Sequence, residues 1–360
     1  MKNLFALSIL AASVAMTACS KKPEETTPAT GAAATTASAS GATIIKIGHA
    51  APLTGPQAHL GKDNENGVRL AVDELNAKGL TIGGQKVQFE LHSEDDQADP
   101  RIATTVAQKF VDDKVNVMIG HLNSGTTIPA SRIYNDAGIV EISPSATNPK
   151  YTQQGYKGAF RVMANDVQQG KVLGEFAVKE MAAKNIAIID DRSAYGQGLA
   201  DEFEKAAKAA GGTIVAHEFT DDDKFDFAAQ LTKIKGTSPD VLFYGGMDAQ
   251  GAPMAKQMKT LGLKAQFLGG DGIHTTEFMK LAGAAAEGVT ASLTGVTLKK
   301  MPTHLQQMLQ LVDEFFAVKN DPSQLDVTPI VMEQLNELHI ATLSEEVIGD
   351  GPVCWILLIP

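Results

Sequence analysis

Past residue 43 the chain alternates short apolar runs with longer stretches whose apolar residues recur every three or four positions. These are the periods of buried strands and of amphipathic helices. Residues 44–47 (IIKI) read as a strand, Val68, Val72 and Leu75 then share one helical face, and residues 87–91 alternate as a second strand that ends at Glu94-Asp95-Asp96. Asp99-Pro100 predicts a helix start, with proline at the tolerated first turn and Ile102, Val106 and Phe110 pointing inward. Residues 117–119 and 140–143 predict two more strands, and residues 159–163 a connecting one. A second series follows: helix 167–181, strand 186–189, a helix marked by Leu199, Phe203 and Ala206, strand 214–219, helix 227–234, strand 241–244, helix 254–261, and a short strand at Phe267-Leu268. Strands this apolar, alternating with crossover-length helices, predict an α/β protein of two doubly wound lobes, each a three-layer αβα sandwich of parallel sheet.

The rest is organised around residues 120–147, which run strand end, polar loop, helix, strand, polar loop. The string VNVMIGHLNSGTTIPASRIYNDAG is followed by IVEISPSATNP. The first loop carries Asn123, Ser124, Thr126 and Thr127, with Ser124 placed to cap the helix that begins there. The second carries Ser143, Ser145 and Thr147. In an open parallel sheet both loops lie at the carboxyl ends of strands, where ligands bind. Hydroxyls beside the unpaired N–H groups of a helix start suit a small anion such as a carboxylate. The plainer alternative is that these are ordinary caps and turn residues.

The ends break the pattern. Residues 1–19 hold a basic Lys2, an apolar run over 4–14 and then Met16-Thr17-Ala18-Cys19, which resembles a bacterial lipobox with Cys19 as the lipidation site. An ordinary secretory signal with a chance cysteine is the alternative, and the run is too short to persist as a membrane span. Residues 20–43 carry no bulky apolar side chain and predict a disordered tether. The other cysteine is Cys354, so an acylated Cys19 leaves no intramolecular disulfide. A formal net charge of −11 with scattered Lys and Arg argues against nucleic acid as a partner. The eight histidines show no ligand spacing, and no nucleophile elbow, Walker loop or GxGxxG is present, so neither a cofactor nor a catalytic centre is expected. Asp221-Asp222-Asp223 reads as a solvated turn, and His59 and His121 as loop or pocket-rim residues.

The strings GPQAHLG, DELNAKG, SEDDQADP, IGHLNSGTTIPAS, EISPSATNP, DRSAYGQGLA, FYGGMDAQG and FLGGDG occur in that order between Ile44 and Val296. In them the chain resembles the periplasmic branched-chain amino acid binding proteins, the leucine/isoleucine/valine type that serves ABC importers. The resemblance implies a type I periplasmic binding protein: a monomer of two lobes, joined by three crossovers, that closes around one small molecule and delivers it to a permease. It implies a binding protein and not an enzyme, with lobe one at residues 44–165 plus about 294–360 and lobe two at 166–293. Past Lys300 the likeness fades. The ending QLDVTPIVMEQLNELHIATLSEEVIGDGPVCWILLIP is atypical and leaves the third crossover unaccounted for.

A zwitterionic amino acid needs donors for its carboxylate, an acceptor for its ammonium group and an apolar wall for its side chain. Matched position by position, the resemblance places the Ser124 and Thr147 hydroxyls on the carboxylate and Ser145 where the family uses a backbone group. Leu122 and Asn123 fall on pocket-lining positions and Tyr195 on a tyrosine of the lobe-two side. Asp271 falls on the ammonium-binding acid, a glutamate in the leucine/isoleucine/valine protein. Leu60 and Met247 stand where that protein has aromatic side chains, which implies a roomier wall. Without the resemblance Asp271 is a turn residue between glycines. A ligand-sensing domain of the same fold, for amides, ureas or another small solute, is the alternative function.

Overall fold

The computed structural model describes residues 42–294 and 354–358. The first lobe runs β1 (Thr43–Ala51), α1 (Ala58–Lys78), β2 (Thr81–Ile82), β3 (Gln85–Asp95), α2 (Pro100–Asp112), β4 (Val117–Gly120), α3 (Ser124–Asp136), β5 (Val140–Ser143), α4 (Lys150–Gln153) and β6 (Ala159–Arg161). The chain crosses once and builds the second lobe from α5 (Asp166–Lys179), β7 (Asn185–Asp190), α6 (Ala194–Ala209), β8 (Thr213–Phe219), α7 (Ala228–Lys235), β9 (Val241–Gly245), α8 (Asp248–Leu261) and β10 (Gln266–Gly269). A 3₁₀ turn (Asp271–Ile273), α9 (Thr276–Ala282) and β11 (Thr290–Thr294) follow, and β12 (Cys354–Leu358) joins the same sheet.

The two sheets run β2-β3-β1-β4-β5-β6 and β12-β11-β10-β9-β7-β8. Set aside the antiparallel edges, β2 on β3 and β12 on β11, and each is a parallel sheet with its first strand inside, its second to one side and its third to the other. A strand order that reverses like this leaves a crevice at the carboxyl ends of the first and third strands. In lobe one that crevice lies between β1 and β4, in lobe two between β7 and β9.

Each sheet is buried on both faces, which is why its strands read as unbroken apolar runs. Residues 186–189 of β7 are all fully buried. Ile186 and Ile188 pack toward Leu173 of α5 and Phe203 of α6, while Ala187 and Ile189 pack toward Leu231 of α7 and Met254 of α8. Phe203 stacks on Phe243 with ring centroids 3.8 Å apart. In lobe one, Phe110 of α2 and Tyr134 of α3 cover one face with Met118, and Val68 and Val72 of α1 cover the other with Ile47. The result is two three-layer αβα lobes, as the periodicity predicts.

Local details differ from the expectations. Asp99 caps α2 as expected, accepting from the Arg101 and Ile102 N–H groups, with Pro100 in the first turn. Ser124 does not cap α3. Asn123 holds the extended N-cap conformation and Ser124 is the first helical residue. Helix α8 starts at Asp248, not at Met254, with Pro253 inside it. The two-residue β2 has too little pattern to be seen in sequence. Strand 354–358 pairs with β11 at the edge of the second sheet, where lobe one was expected. The other residues of the atypical tail, the signal segment with Cys19 and the tether up to Gly41 lie outside the described residues, as do any crossovers beyond the one from β6 to α5, while Thr43, expected to end the tether, already belongs to β1. Among the described residues no helix is long and apolar enough to cross a membrane.

Gly120 ends β4 at the lobe-one crevice with φ of +139°, and a Cβ there would lie 2.5 Å from the Ala50 carbonyl oxygen. Gly120→Ala is expected to destabilise the protein by roughly 2 kcal/mol or more, because both the backbone angle and the strand spacing must give. Urea unfolding measures it; an unshifted midpoint contradicts the account.

Candidate functional site

The two crevices face each other across a small cavity of about 120 Å³. Lobe one lines it with Leu60, Asp63 and Asn64 of α1, with Leu122, Asn123 and Ser124 after β4, and with Ser145 after β5; lobe two lines it with Tyr195 of α6, Met247, Asp271 and Gly272. Eight of the nine residues expected at the ligand are therefore gathered in one place. Thr147 is the exception. It is buried behind the wall, with its hydroxyl beside the Asp166 carboxyl. Asp63, Asn64 and Gly272 were not foreseen, although Asn64 lies one helical turn beyond Leu60 and so shares its face.

The lobe-one wall is polar at a helix start. The backbone Asn123 carbonyl already accepts from the Thr126 and Thr127 N–H groups. The Ser124 and Gly125 N–H groups make no hydrogen bond among the described residues. The Ser124 Oγ accepts from the Asn148 N–H at 3.1 Å, which leaves its own proton free to donate. Ser145 Oγ donates to Asn64 Oδ1 at 3.2 Å. Arg161 holds the Ser145 loop in shape from below, its guanidinium donating to the Ala146 and Asn148 carbonyls at 2.8 and 3.0 Å.

The lobe-two wall is acidic. Asp271 Oδ1 accepts from Gln169 Nε2 at 2.7 Å and from the Tyr195 hydroxyl at 2.8 Å. Tyr195 in turn accepts from the Gly272 N–H at 2.9 Å. Gly270 makes this approach possible, since a Cβ there would fall 2.6 Å from the Tyr195 oxygen. Burial pushes the Asp271 carboxyl above its ordinary range, while the Gln169 and Tyr195 donors pull it down. Between the polar walls stand Leu122, buried to 6% exposure, Met247, buried to 9%, and Leu60, which packs from lobe one against the core of lobe two.

Polar contacts also join the lobes. His59 Nε2 lies 2.7 Å from the buried Asp248 Oδ2, and Asn148 Nδ2 donates to the Ala194 carbonyl at 2.6 Å. An outer chamber of about 410 Å³ shares Asn123, Tyr195 and Met247 with the inner cavity and adds Asp191, Arg192, Asp221 and Asp222. The acidic run is thus solvent-exposed, as expected, but at the cleft mouth. Burial raises the Asp191 carboxyl to about 6, against the opposing Ser193 donors. His121 is no rim residue. It is fully buried, with Nδ1 2.7 Å from Asp96 Oδ2 and Nε2 3.1 Å from the Tyr134 hydroxyl, because an imidazole taken out of water needs partners on both nitrogens.

Residues 44–326 match the family model for periplasmic binding proteins. The chain belongs to that family. Among similar proteins, Leu/Ile/Val-binding protein homolog 1 of Brucella abortus is 41% identical over 245 residues, 68% of this chain and 65% of the relative, so the chain spans just under two thirds of that relative's length. The leucine-, isoleucine-, valine-, threonine-, and alanine-binding protein of Pseudomonas aeruginosa is 35% identical over 288 residues, 80% of this chain and 75% of the relative. The branched-chain amino acid transporter substrate binding protein LivJ from Streptococcus pneumoniae, in complex with isoleucine, shares 30% identity and superposes with a TM-score of 0.68 over 78% of each chain. The paired parallel-sheet lobes are those of a type I periplasmic binding protein.

The interlobe crossing leads into Asp166, fully buried at the start of α5 beside the Thr147 hydroxyl. Burial raises its carboxyl from the usual 3.8 to about 8, with the Thr147 hydroxyl and Arg161 opposing and Asp271 adding to the rise. The native chain therefore holds a proton that the unfolded chain loses above its own carboxylate range. Stability falls as pH climbs from about 4 to about 8. Asp166→Asn cannot ionise, so it should gain on the parent through that window by a few kcal/mol and show no such gain below it. Urea unfolding at the two ends of the window decides it; a pH-independent difference contradicts the assignment.

Proposed function

We propose that the protein is the periplasmic solute-binding component of an ABC importer, holding a small amino acid of the branched-chain type between its lobes. The observation that carries the reading is the pairing of walls around one cavity: free helix-start N–H groups and hydroxyls on one side, the Asp271 carboxylate on the other, and Leu60, Leu122 and Met247 between them. Such walls complement a carboxylate, an ammonium group and an apolar side chain respectively. The names of the relatives agree in chemistry, and the threonine and alanine in one of them agree with a cavity this small.

In this reading Ser124 and the Ser124 and Gly125 N–H groups hold the carboxylate, with Ser145 and Asn123 beside them and Thr147 supporting from behind. Asp271 holds the ammonium group, and Tyr195 orders Asp271. Lobe one comprises residues 44–165 and lobe two residues 166–293, with the strand at 354–358 added to lobe two. The protein binds without catalysis, as a monomer, and hands its ligand to a membrane permease that recognises the closed lobes. Cys19 is the lipid-bearing residue and residues 20–43 the tether to the membrane.

Ser124→Ala should weaken binding of isoleucine by about 1–3 kcal/mol, roughly tenfold to a hundredfold. Asp271→Ala should cost at least as much, because it leaves an ammonium group desolvated and unpaired. Titration calorimetry with isoleucine, its amide and its deaminated analogue reads both ends of the ligand. Undiminished binding of the amide, or normal binding by Asp271→Ala, would favour a sensor of neutral solutes instead.

The anchor is tested separately. Cys19→Ala is expected to move the protein from the membrane to the soluble fraction of fractionated cells, since no second acylation site accompanies it. Persistence in the membrane pellet after a high-salt wash would refute this.

A further inference from the structure

We propose that Gln169 is a positioning residue for the ligand: it saturates one oxygen of Asp271 from within lobe two, so that the other oxygen is presented, ionised, to the ammonium group. The inference rests on the assignment of Asp271 to the ammonium group. Gln169 lies on α5, fully buried, 102 residues away from its partner in sequence. Its Nε2 spends one hydrogen on Asp271 Oδ1 at 2.7 Å and the other on Ser292 Oγ of β11 at 2.9 Å. The opposite amide orientation would set a carbonyl oxygen against a carboxylate, so the donor side faces Asp271. With Tyr195 as second donor, Oδ1 is satisfied, while no side chain among the described residues donates to Oδ2.

A role in packing alone does not account for this residue. Among the described residues the Gln169 Oε1 is buried without a partner, a cost that leucine or methionine would avoid in the same space. The amide is useful there only for its N–H groups. Several charged or titratable groups bear on Asp271: Asp166 at the start of α5, Tyr195 from α6, His274 from the end of its own turn, and Asp63 of α1 on the same cavity. Burial drives its carboxyl toward the neutral form, and the Gln169 donor is the leading influence the other way. A neutral Asp271 cannot pair with an ammonium group.

Gln169→Met keeps the volume and removes the donor. The variant should bind L-isoleucine tenfold or more weakly than the parent at about pH 5, with the deficit shrinking to within about threefold near pH 8.5, because Asp271 then protonates at a higher pH. Gln169→Glu should show the reverse trend, binding best where its own carboxyl is protonated and donates, and worst where two carboxylates face each other. Calorimetric titrations across that range read both profiles, and Gln169→Glu alone suffices if the methionine variant does not fold. The same profiles in an Asp166→Asn background remove that neighbour as their source and are expected to persist. A loss of affinity equal at every pH, or no loss, overturns the positioning role. Asp271→Asn separates the two levels of the argument. Unchanged affinity there overturns the ammonium assignment and the role of Gln169 with it, whereas a large loss there beside a flat Gln169→Met profile overturns the role of Gln169 alone.

Discussion

A parallel strand can return to its sheet only by a crossover, and the crossover is right-handed, so every strand in such a sheet delivers its carboxyl end to the same edge. Both lobes obey this constraint with the same strand order, and the site follows from it. Asn123 and Ser124 follow β4, Ser145 follows β5, Tyr195 begins the helix after β7, Met247 follows β9, and Asp271 follows β10. Residues from five distant stretches of sequence need no other mechanism to converge. The crossings between lobes then only have to hold two edges face to face.

The acids of this edge are set apart by their surroundings rather than by their kind. Asp271 and Asp166 are both carboxylates removed from water near one another, and charging both would be costly. Asp271 has two donors on one oxygen, whereas burial of Asp166 is opposed only by the neighbouring Thr147 hydroxyl and by Arg161. Burial thus holds the Asp166 carboxyl up at about 8, while the donors on Asp271 oppose its rise. Two like groups in one pocket are set apart by where the donors are aimed, a general way of dividing roles between neighbouring acids.

The fold was legible because both faces of each sheet are covered, which turns strands such as β7 into continuous apolar runs, while the helices between them keep one polar face. Ser124, Tyr195 and Asp271 were legible through resemblance, and the hydroxyl loops of lobe one also through chemistry. What escaped has a shared cause: its meaning lies in partners far off in sequence. Gln169 is one polar residue within a helix until Asp271 and Ser292 are placed beside it. His121 reads as a loop histidine until Asp96 and Tyr134 enclose it. The helix expected over 254–261 begins six residues earlier, at Asp248, and runs through Pro253. The strand at 354–358 joins a sheet formed by residues more than fifty positions earlier, with no local signal to say which.

The brace under the Ser145 loop has a mechanical consequence. Arg161 ends the last strand before the crossing and clasps the Ala146 and Asn148 carbonyls, and its other nitrogen donates to Thr152 Oγ1 at 2.6 Å. At the far side of the same crossing, the Asp166 N–H donates to the Thr147 carbonyl at 2.9 Å. The loop is therefore pinned to both ends of the segment that links the lobes. A loop tied at both ends has little conformational freedom left to lose. In the proposed function a ligand therefore meets a half-site already cast, and little ordering of that loop is left to oppose its capture.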